Sequence, residues 1–132
     1  MIIVLDASAG IEIALDRGNA SLYNSYILGA SKIITSNLYK AETSNVIWKY
    51  VKAKLLLKDK ALLTYKFCED IIDEFVDLSE NVEEAISESM RLNHSTYDLF
   101  YFTLARRHGA ILITLDKKLN EMAIENGIEI VT

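Results

Sequence analysis

Four acidic residues have the types and positions that suit metal-assisted phosphate chemistry. Asp6 and Asp116 directly follow the short apolar runs IIVL and AILITL, while Glu42 and Asp98 lie in SNLYKAETSNVI and STYDLFYFTLAR. Residues that directly follow strands of a parallel sheet lie at its carboxyl edge, where open α/β folds build their sites. Carboxylates gathered there repel one another unless a hard divalent cation such as Mg²⁺ or Mn²⁺ binds among them. The pattern therefore indicates a metal-dependent phosphoryl-transfer or hydrolytic enzyme.

The three aspartates also have a simpler interpretation as helix caps. Asp6 and Asp116 each precede a helical pattern, and Asp is a favoured N-cap residue. The stretch from Ser95 to Asp98 has the spacing of a capping box. However, the helix that Asp98 enters is unusually apolar, and an uncompensated carboxylate there would be costly. A first-turn residue can fill both roles, so capping does not exclude a site.

Glu42 lies alone on a long helical pattern, where a glutamate is usually solvated. Its neighbours four residues away are Leu38 and Val46, and no Lys or Arg lies three or four residues away. It therefore lacks the ion-pair partners that would explain it within the helix. Asn45, one turn further on, could line the same pocket.

Two hydroxyl residues are candidates for supporting roles. Ser8 and Thr114 each lie two residues from a strand-end aspartate, where they could orient the carboxylates or a metal-bound water. Local backbone capping explains both hydroxyls equally well. We assign no catalytic role to His94 or His108.

Composition limits the class of protein. The chain has 132 residues, 51% of them hydrophobic and 25% charged, which predicts one globular domain over residues 1–132. Its net charge of -5 argues against broad nonspecific attraction to nucleic acid. A nucleic-acid substrate remains compatible, because bound metal ions would invert the local field. The single cysteine, Cys68, excludes an internal disulfide framework and a multi-cysteine zinc site. We expect a cytoplasmic protein with no signal peptide and no membrane span.

Strand and helix patterns alternate along the chain, which predicts an α/β fold with a parallel sheet covered by helices on both faces. Strands are predicted at residues 2–5, 32–35, 75–78, 110–115 and 128–131. Helices are predicted at residues 8–16, 20–29, 37–55, 58–74, 80–92, 95–108 and 116–126. The first and fourth strands are the most hydrophobic, so we expect them to be central and adjacent.

Taken together, these motifs resemble the PIN-domain family, in particular the VapC-like ribonuclease toxins of bacterial and archaeal toxin–antitoxin pairs. The resemblance covers essentially the whole chain. It rests on VLDASA, the Glu of YKAETSNVI, the YDLFYFTLAR helix, and LITLDKKL with the closing GIEIVT. Each motif is weak alone, but their order and their strand–helix contexts are specific.

The resemblance implies a set of expectations about structure and function. The family pattern places the metal-binding acidic quartet on Asp6, Glu42, Asp98 and Asp116. It implies a three-layer α/β/α fold with a five-stranded parallel sheet in the order 3-2-1-4-5. It also implies an endoribonuclease that uses Mg²⁺ or Mn²⁺ and leaves 5′-phosphate and 3′-hydroxyl ends. A homodimer and a VapB-like antitoxin that covers the acidic pocket are the expected partners, besides the RNA substrate.

The match to the supporting positions is also good. Thr114 corresponds to the family's supporting hydroxyl, and Ser8 to the small polar residue after the first Asp. The chain departs from the pattern by lacking a proline near Ser36 and by having few basic residues on the long helix. The small number of basic residues concerns only how the protein would bind RNA.

Other functions fit the sequence less well. A haloacid-dehalogenase phosphatase requires a second Asp two residues after the first, where this chain has Ser8. A phosphate-accepting receiver is disfavoured because the acidic pair after the first strand is missing. A free-standing PIN nuclease in RNA processing and a non-catalytic PIN-like scaffold that binds other proteins remain alternatives to a toxin.

Overall fold

The computed structural model describes residues 1–132 and contains a parallel sheet with helices between its strands. The strands are β1 (Ile2–Leu5), β2 (Lys32–Ser36), β3 (Glu74–Val76) and β4 (Ile111–Ile113). The helices are α1 (Ala7–Ala14), α2 (Ala20–Leu28), α3 (Leu38–Lys52), α4 (Ala61–Asp70), α5 (Val82–Leu92), α6 (Thr96–His108) and α7 (Lys117–Glu125). Two short 3₁₀ helices lie at Lys58–Lys60 and Leu78–Glu80. None of the helices combines the length and the apolar character needed to cross a bilayer.

The strand order is β3-β2-β1-β4, and every pairing is parallel. Leu5 of β1 lies opposite Ile113 of β4, and Val4 lies opposite both Ile34 and Leu112. The predicted adjacency of the first and fourth strands is therefore confirmed. β1 is almost entirely buried, as expected for a central parallel strand with helices on both faces.

The helices form two groups around this sheet. α1 contacts α2, α3 and α4, whereas α6 contacts α5, α7 and the three strands β1, β2 and β4. The chain moves in one direction from β1 to β3 and then returns to β4, beside β1. Because parallel crossovers are right-handed, this reversal places the second group of helices on the opposite face. The result is a three-layer α/β/α fold.

The prediction of a fifth strand is wrong, because the sheet has four strands in the order 3-2-1-4. The closing segment pairs with β4 only through an isolated parallel bridge between Leu112 and Ile130, with one hydrogen bond from the Leu112 amide to the Glu129 carbonyl. β4 is only three residues long, so it has little edge to pair. The pairing is therefore limited to this one bridge.

Two helices end three or four residues earlier than predicted. α3 ends at Lys52 rather than near residue 55, because Lys54 adopts a left-handed conformation (φ 62°). α4 ends at Asp70 rather than residue 74, because Asp73 is bonded to β2 through its backbone amide and its side chain, each at 2.8 Å from Ile33. These bonds extend the chain into β3.

The hydrophobic core contains most of α6. Leu99, Phe100, Tyr101, Phe102 and Leu104 are all buried, whereas Tyr97 of the same apolar segment is exposed. Gly109 ends the helix in a left-handed conformation (φ 58°). The first turn of α6, which carries Asp98, lies at the carboxyl edge of the sheet.

Candidate functional site

The structure brings the four predicted acidic residues to one cleft of about 200 Å³ at the carboxyl edge of the sheet. Asp6 follows β1 and Asp116 lies just beyond β4, the strand beside it, while α3 and α6 supply the other two. The residues that line the cleft are Asp6, Ala7, Ser8, Glu42, Val46, Asp98, Tyr101 and Asp116. No basic side chain lines it, so its charge is uniformly negative.

Asp6 both caps a helix and lines the cleft. Its Oδ1 accepts from the Ala9 amide at 3.0 Å, which caps α1, and from the Ser8 hydroxyl at 2.6 Å. The Thr114 hydroxyl donates to Oδ2. The side chain is nearly buried, with 5% of the residue exposed. The capping role and the cleft position therefore coincide in one residue.

The surroundings of Asp6 disfavour the ionised form of its carboxyl group. Burial raises its pKa to about 6, and the nearby charge of Asp98 adds to this effect. The hydrogen bonds from Ser8, Thr114 and Ala9 lower the pKa but do not offset burial. A carboxylate that is hydrogen-bonded and still destabilised as an anion is one that a bound cation would stabilise.

Two hydroxyls connect the cleft aspartates to each other. The Thr114 hydroxyl accepts from the Asp116 amide at 3.0 Å, and the Ser8 hydroxyl accepts from the Leu115 amide at 2.9 Å. Each hydroxyl also donates to Asp6, so the loop after β4 is tied to the end of β1 through side chains. Asp116 itself caps α7 by accepting from the Leu119 amide at 2.9 Å.

Glu42 is oriented by a residue that the sequence did not single out for the site. The Tyr101 hydroxyl donates to its Oε1 at 2.5 Å, and no cation pairs with it. Burial raises the pKa of Glu42, the Tyr101 hydrogen bond lowers it, and the charges of Asp6 and Asp98 raise it further. The available signal was the position of Tyr101, three residues after Asp98 and therefore on the same face of the helix.

Asp98 does not form the capping box that its spacing predicts. Ser95 begins α6 without a side-chain hydrogen bond to the helix. Instead, Asp98 Oδ2 lies 2.6 Å from Nε2 of His94, to which the sequence assigned no role. The spacing of four residues between His94 and Asp98 was the signal that could have identified this contact.

Asn45 does not reach the cleft. It is exposed, and Val46 lines the cleft in its place. An α-helix turns about 100° per residue, so the residue four positions after Glu42 is closer to its face than the residue three positions after it.

The cleft fits a hard divalent cation by donor type and by charge. Its polar side chains offer oxygen donors, as Mg²⁺ and Mn²⁺ prefer, and four of them are carboxyl groups without a basic partner in the lining. Nowhere in the chain, however, do three His, Cys, Asp or Glu side chains form a closed set of ligands. The carboxylates surround the cleft and would have to draw together around an ion.

Two solved structures resemble the fold. PAE2754 from Pyrobaculum aerophilum matches with a TM-score of 0.69 and 24% identity, covering 90% of this chain and 82% of that chain. VapBC2 from Rickettsia felis, solved with a DNA fragment from its promoter, matches with a TM-score of 0.67 and 15% identity, covering 98% and 97%. At these identities the likeness concerns the fold alone.

Sequence comparison identifies the family. Ribonuclease VapC3 from Pyrobaculum aerophilum is 27% identical over 126 residues, which are 92% of this chain and 94% of that protein. Residues 3–125 match the PIN domain, and this match covers most of the chain, including all four cleft acids. The chain therefore belongs to the PIN domain family.

Proposed function

We propose that this protein is a divalent-metal-dependent endoribonuclease of the VapC type and the toxin of a toxin–antitoxin pair. The observation that carries the proposal is the cleft itself, which Asp6, Glu42, Asp98 and Asp116 line without a basic side chain. The similarity to a protein named Ribonuclease VapC3 extends over nearly the full length of both chains. This coverage supports the same activity on RNA.

When bound, Mg²⁺ or Mn²⁺ would activate a water and offset the charge that builds on the phosphate during in-line displacement. Asp6 would be a rigid ligand, because its position is fixed by two hydroxyls and a helix amide. Asp116 has one oxygen in the α7 cap and would offer the other to the metal. Glu42, with Oε1 held by Tyr101, would use its second oxygen as a ligand or to orient the attacking water.

The same site and the exposed apolar side chains support a proposal about the protein's partners. An acidic cleft suits a basic antitoxin segment, because an Arg side chain forms paired hydrogen bonds with carboxylates. Near α3 and α4, exposed apolar side chains offer a surface for such a VapB-like antitoxin or for a homodimer. They are Trp48, Leu55, Leu57, Leu62, Leu63 and Phe67.

The nuclease is tested by RNA cleavage with purified wild type, Asp6→Asn and Asp116→Asn, in Mg²⁺, Mn²⁺ or EDTA. Structured and single-stranded RNA are both offered. We expect metal-dependent cleavage by the wild type and none by either variant. Asp59→Asn is the matched control, because Asp59 is exposed and outside the cleft; it should cleave like the wild type.

Cleavage that persists in both cleft variants, or in EDTA, would contradict the proposed site. A folded wild type that cleaves none of these RNAs would favour the scaffold alternative. The toxin role has a separate test, in which the wild type and Asp6→Asn are expressed in a bacterial host. Growth arrest by the wild type alone, relieved by the product of an adjacent short reading frame, is expected. Cleavage in vitro without growth arrest would instead favour a free-standing RNA-processing nuclease.

A further inference from the structure

His94 lies at a fixed point in the connection between α5 and α6. Asn93 ends α5 in a left-handed conformation (φ 52°), and the His94 amide donates to the Ser89 carbonyl at 3.1 Å. Ser95 is then extended and begins α6. The backbone that carries the imidazole is therefore held by the end of one helix and the start of the next.

From this position the imidazole contacts the cleft residue one turn further along. His94 Nε2 lies 2.6 Å from Asp98 Oδ2, with 12% of the His94 side chain and 26% of the Asp98 side chain exposed. An ionised carboxylate can only accept, so the proton of this bond belongs to Nε2 of the histidine. A hydrogen bond to a charged acceptor is stronger than one between neutral groups.

Asp98 differs from the other two aspartates of the cleft in its hydrogen-bond donors. Asp6 and Asp116 each accept from a backbone amide, and Asp6 also accepts from two hydroxyls. Asp98 accepts from His94 through Oδ2, and its Oδ1 has no hydrogen-bond donor in the chain. The orientation of its carboxylate thus depends on the imidazole.

We propose that His94 is a positioning residue, which holds Oδ2 of Asp98 so that Oδ1 is presented to a cation in the acidic cleft. His94 itself does not line the cleft, so it acts through Asp98 rather than as a ligand. The inference rests on the proposed metal-dependent function. It extends the site by a residue outside the acidic quartet.

The test uses two substitutions, of which only one keeps a hydrogen-bond donor. His94→Phe keeps a ring of similar size without a donor, whereas His94→Gln keeps an N–H at about the place of Nε2. Binding of Mn²⁺ to the metal-free protein is measured by calorimetry. We expect His94→Phe to weaken Mn²⁺ binding by about 10- to 100-fold, the usual effect of removing a group that orients a metal ligand. His94→Gln should restore most of the affinity, and His108→Gln, which changes the other histidine, should bind like the wild type.

A second readout does not depend on metal. In the metal-free protein, the ring nitrogen and proton resonances of His94 should shift in Asp98→Asn and remain unchanged in Asp116→Asn. Unaltered His94 resonances in Asp98→Asn would overturn the proposal. Equal Mn²⁺ affinity of His94→Phe and wild type would overturn it too, as would an equal loss in the Gln and Phe variants. A wild type that binds no Mn²⁺ would instead refute the proposed metal site, and the inference with it.

Discussion

The Tyr101 hydroxyl donates a hydrogen bond of 2.5 Å to Glu42 Oε1 and so joins α6 to α3 across the acidic cleft. Tyr101 is almost fully buried, and burial together with the adjacent carboxylate raises its pKa above the usual range. Its hydroxyl is therefore protonated and can donate at neutral pH. The contact gives Glu42 a fixed orientation without neutralising its charge.

Tyr101→Phe should weaken the site and destabilise the protein. The substitution leaves Glu42 without its donor, which should raise the pKa of Glu42 further above its usual value. The loss of a buried hydrogen bond to a charged group costs about 1–3 kcal/mol of unfolding free energy. Urea unfolding and Mn²⁺ titration measure the two effects. Tyr97→Phe, on the same helix but largely exposed, is the control and should change neither.

In the metal-free protein, Asp6 should contribute a loss of stability as the pH rises from about 4 to about 6. The pKa of Asp6 is about 6 in the folded state and near 3.8 when unfolded, so the folded state binds more protons in this window. This residue alone should lower the unfolding free energy by about 3 kcal/mol, with no further change above the folded pKa. Urea unfolding in EDTA at several pH values measures the slope.

Asp6→Asn isolates this contribution, because asparagine does not titrate in the window. The difference in unfolding free energy between the variant and the wild type should move in favour of the variant as the pH rises. The variant should become relatively more stable while losing cleavage, since its stability no longer includes a buried charge. A difference that stays constant between pH 4 and pH 7 would contradict the shifted pKa of Asp6.

Thr114→Val should disrupt both strand-end aspartates. The hydroxyl donates to Asp6 and accepts from the Asp116 amide, so its removal leaves one carboxylate oxygen and one backbone amide unpaired. We expect a loss of about 1–3 kcal/mol in unfolding free energy and a higher pKa for Asp6. Cleavage should fall at least about tenfold, as expected for loss of an orienting group. Thr114→Ser keeps the hydroxyl and should retain most of both properties.

Gly10→Ala should destabilise α1 against α3. A Cβ at Gly10 would lie 2.8 Å from Cε2 and Cζ of the Tyr39 ring, and its hydroxyl would be closer still. The ring is buried and its hydroxyl donates to the Cys68 carbonyl at 2.6 Å, so it cannot move aside cheaply. Overpacking of this kind costs about 1–3 kcal/mol.

Gly29→Ala is the matched control for this effect. The nearest atom to a Cβ at Gly29 lies at 3.6 Å, and its φ of -89° suits any residue. This variant should unfold at a urea concentration close to that of the wild type. Equal midpoints for the two alanine variants would show that α1 and Tyr39 separate easily.

The strands of the sheet could be predicted from the sequence where they are buried and where a polar residue follows the apolar run. β1 and β4 lie in short apolar runs, each followed by an aspartate, and their adjacency followed from their hydrophobicity. The fifth strand could not be judged in this way. Whether the segment around Ile130 extends the ladder depends on its neighbour β4, which is only three residues long and pairs with it through one bridge.

The site residues also divide into those that the sequence predicts and those that it does not. The strand-end and first-turn acids were predictable because topology alone places them at one edge of the sheet. The partners that orient them depend on how each helix is rotated in the packed structure. For this reason Asn45 was assigned wrongly to the cleft lining, while Tyr101 and His94 were missed as partners of Glu42 and Asp98.

The pairing of Leu5 with Ile113 limits which insertions and deletions β1 and β4 can accept. Successive residues of a strand point to opposite faces, so one residue inserted into or deleted from β4 would turn Thr114 away from Asp6. The apolar residues of the two strands can be exchanged for others of similar volume, because their backbones make the ladder. Insertions and deletions are therefore better accommodated in the surface connections than within these two strands.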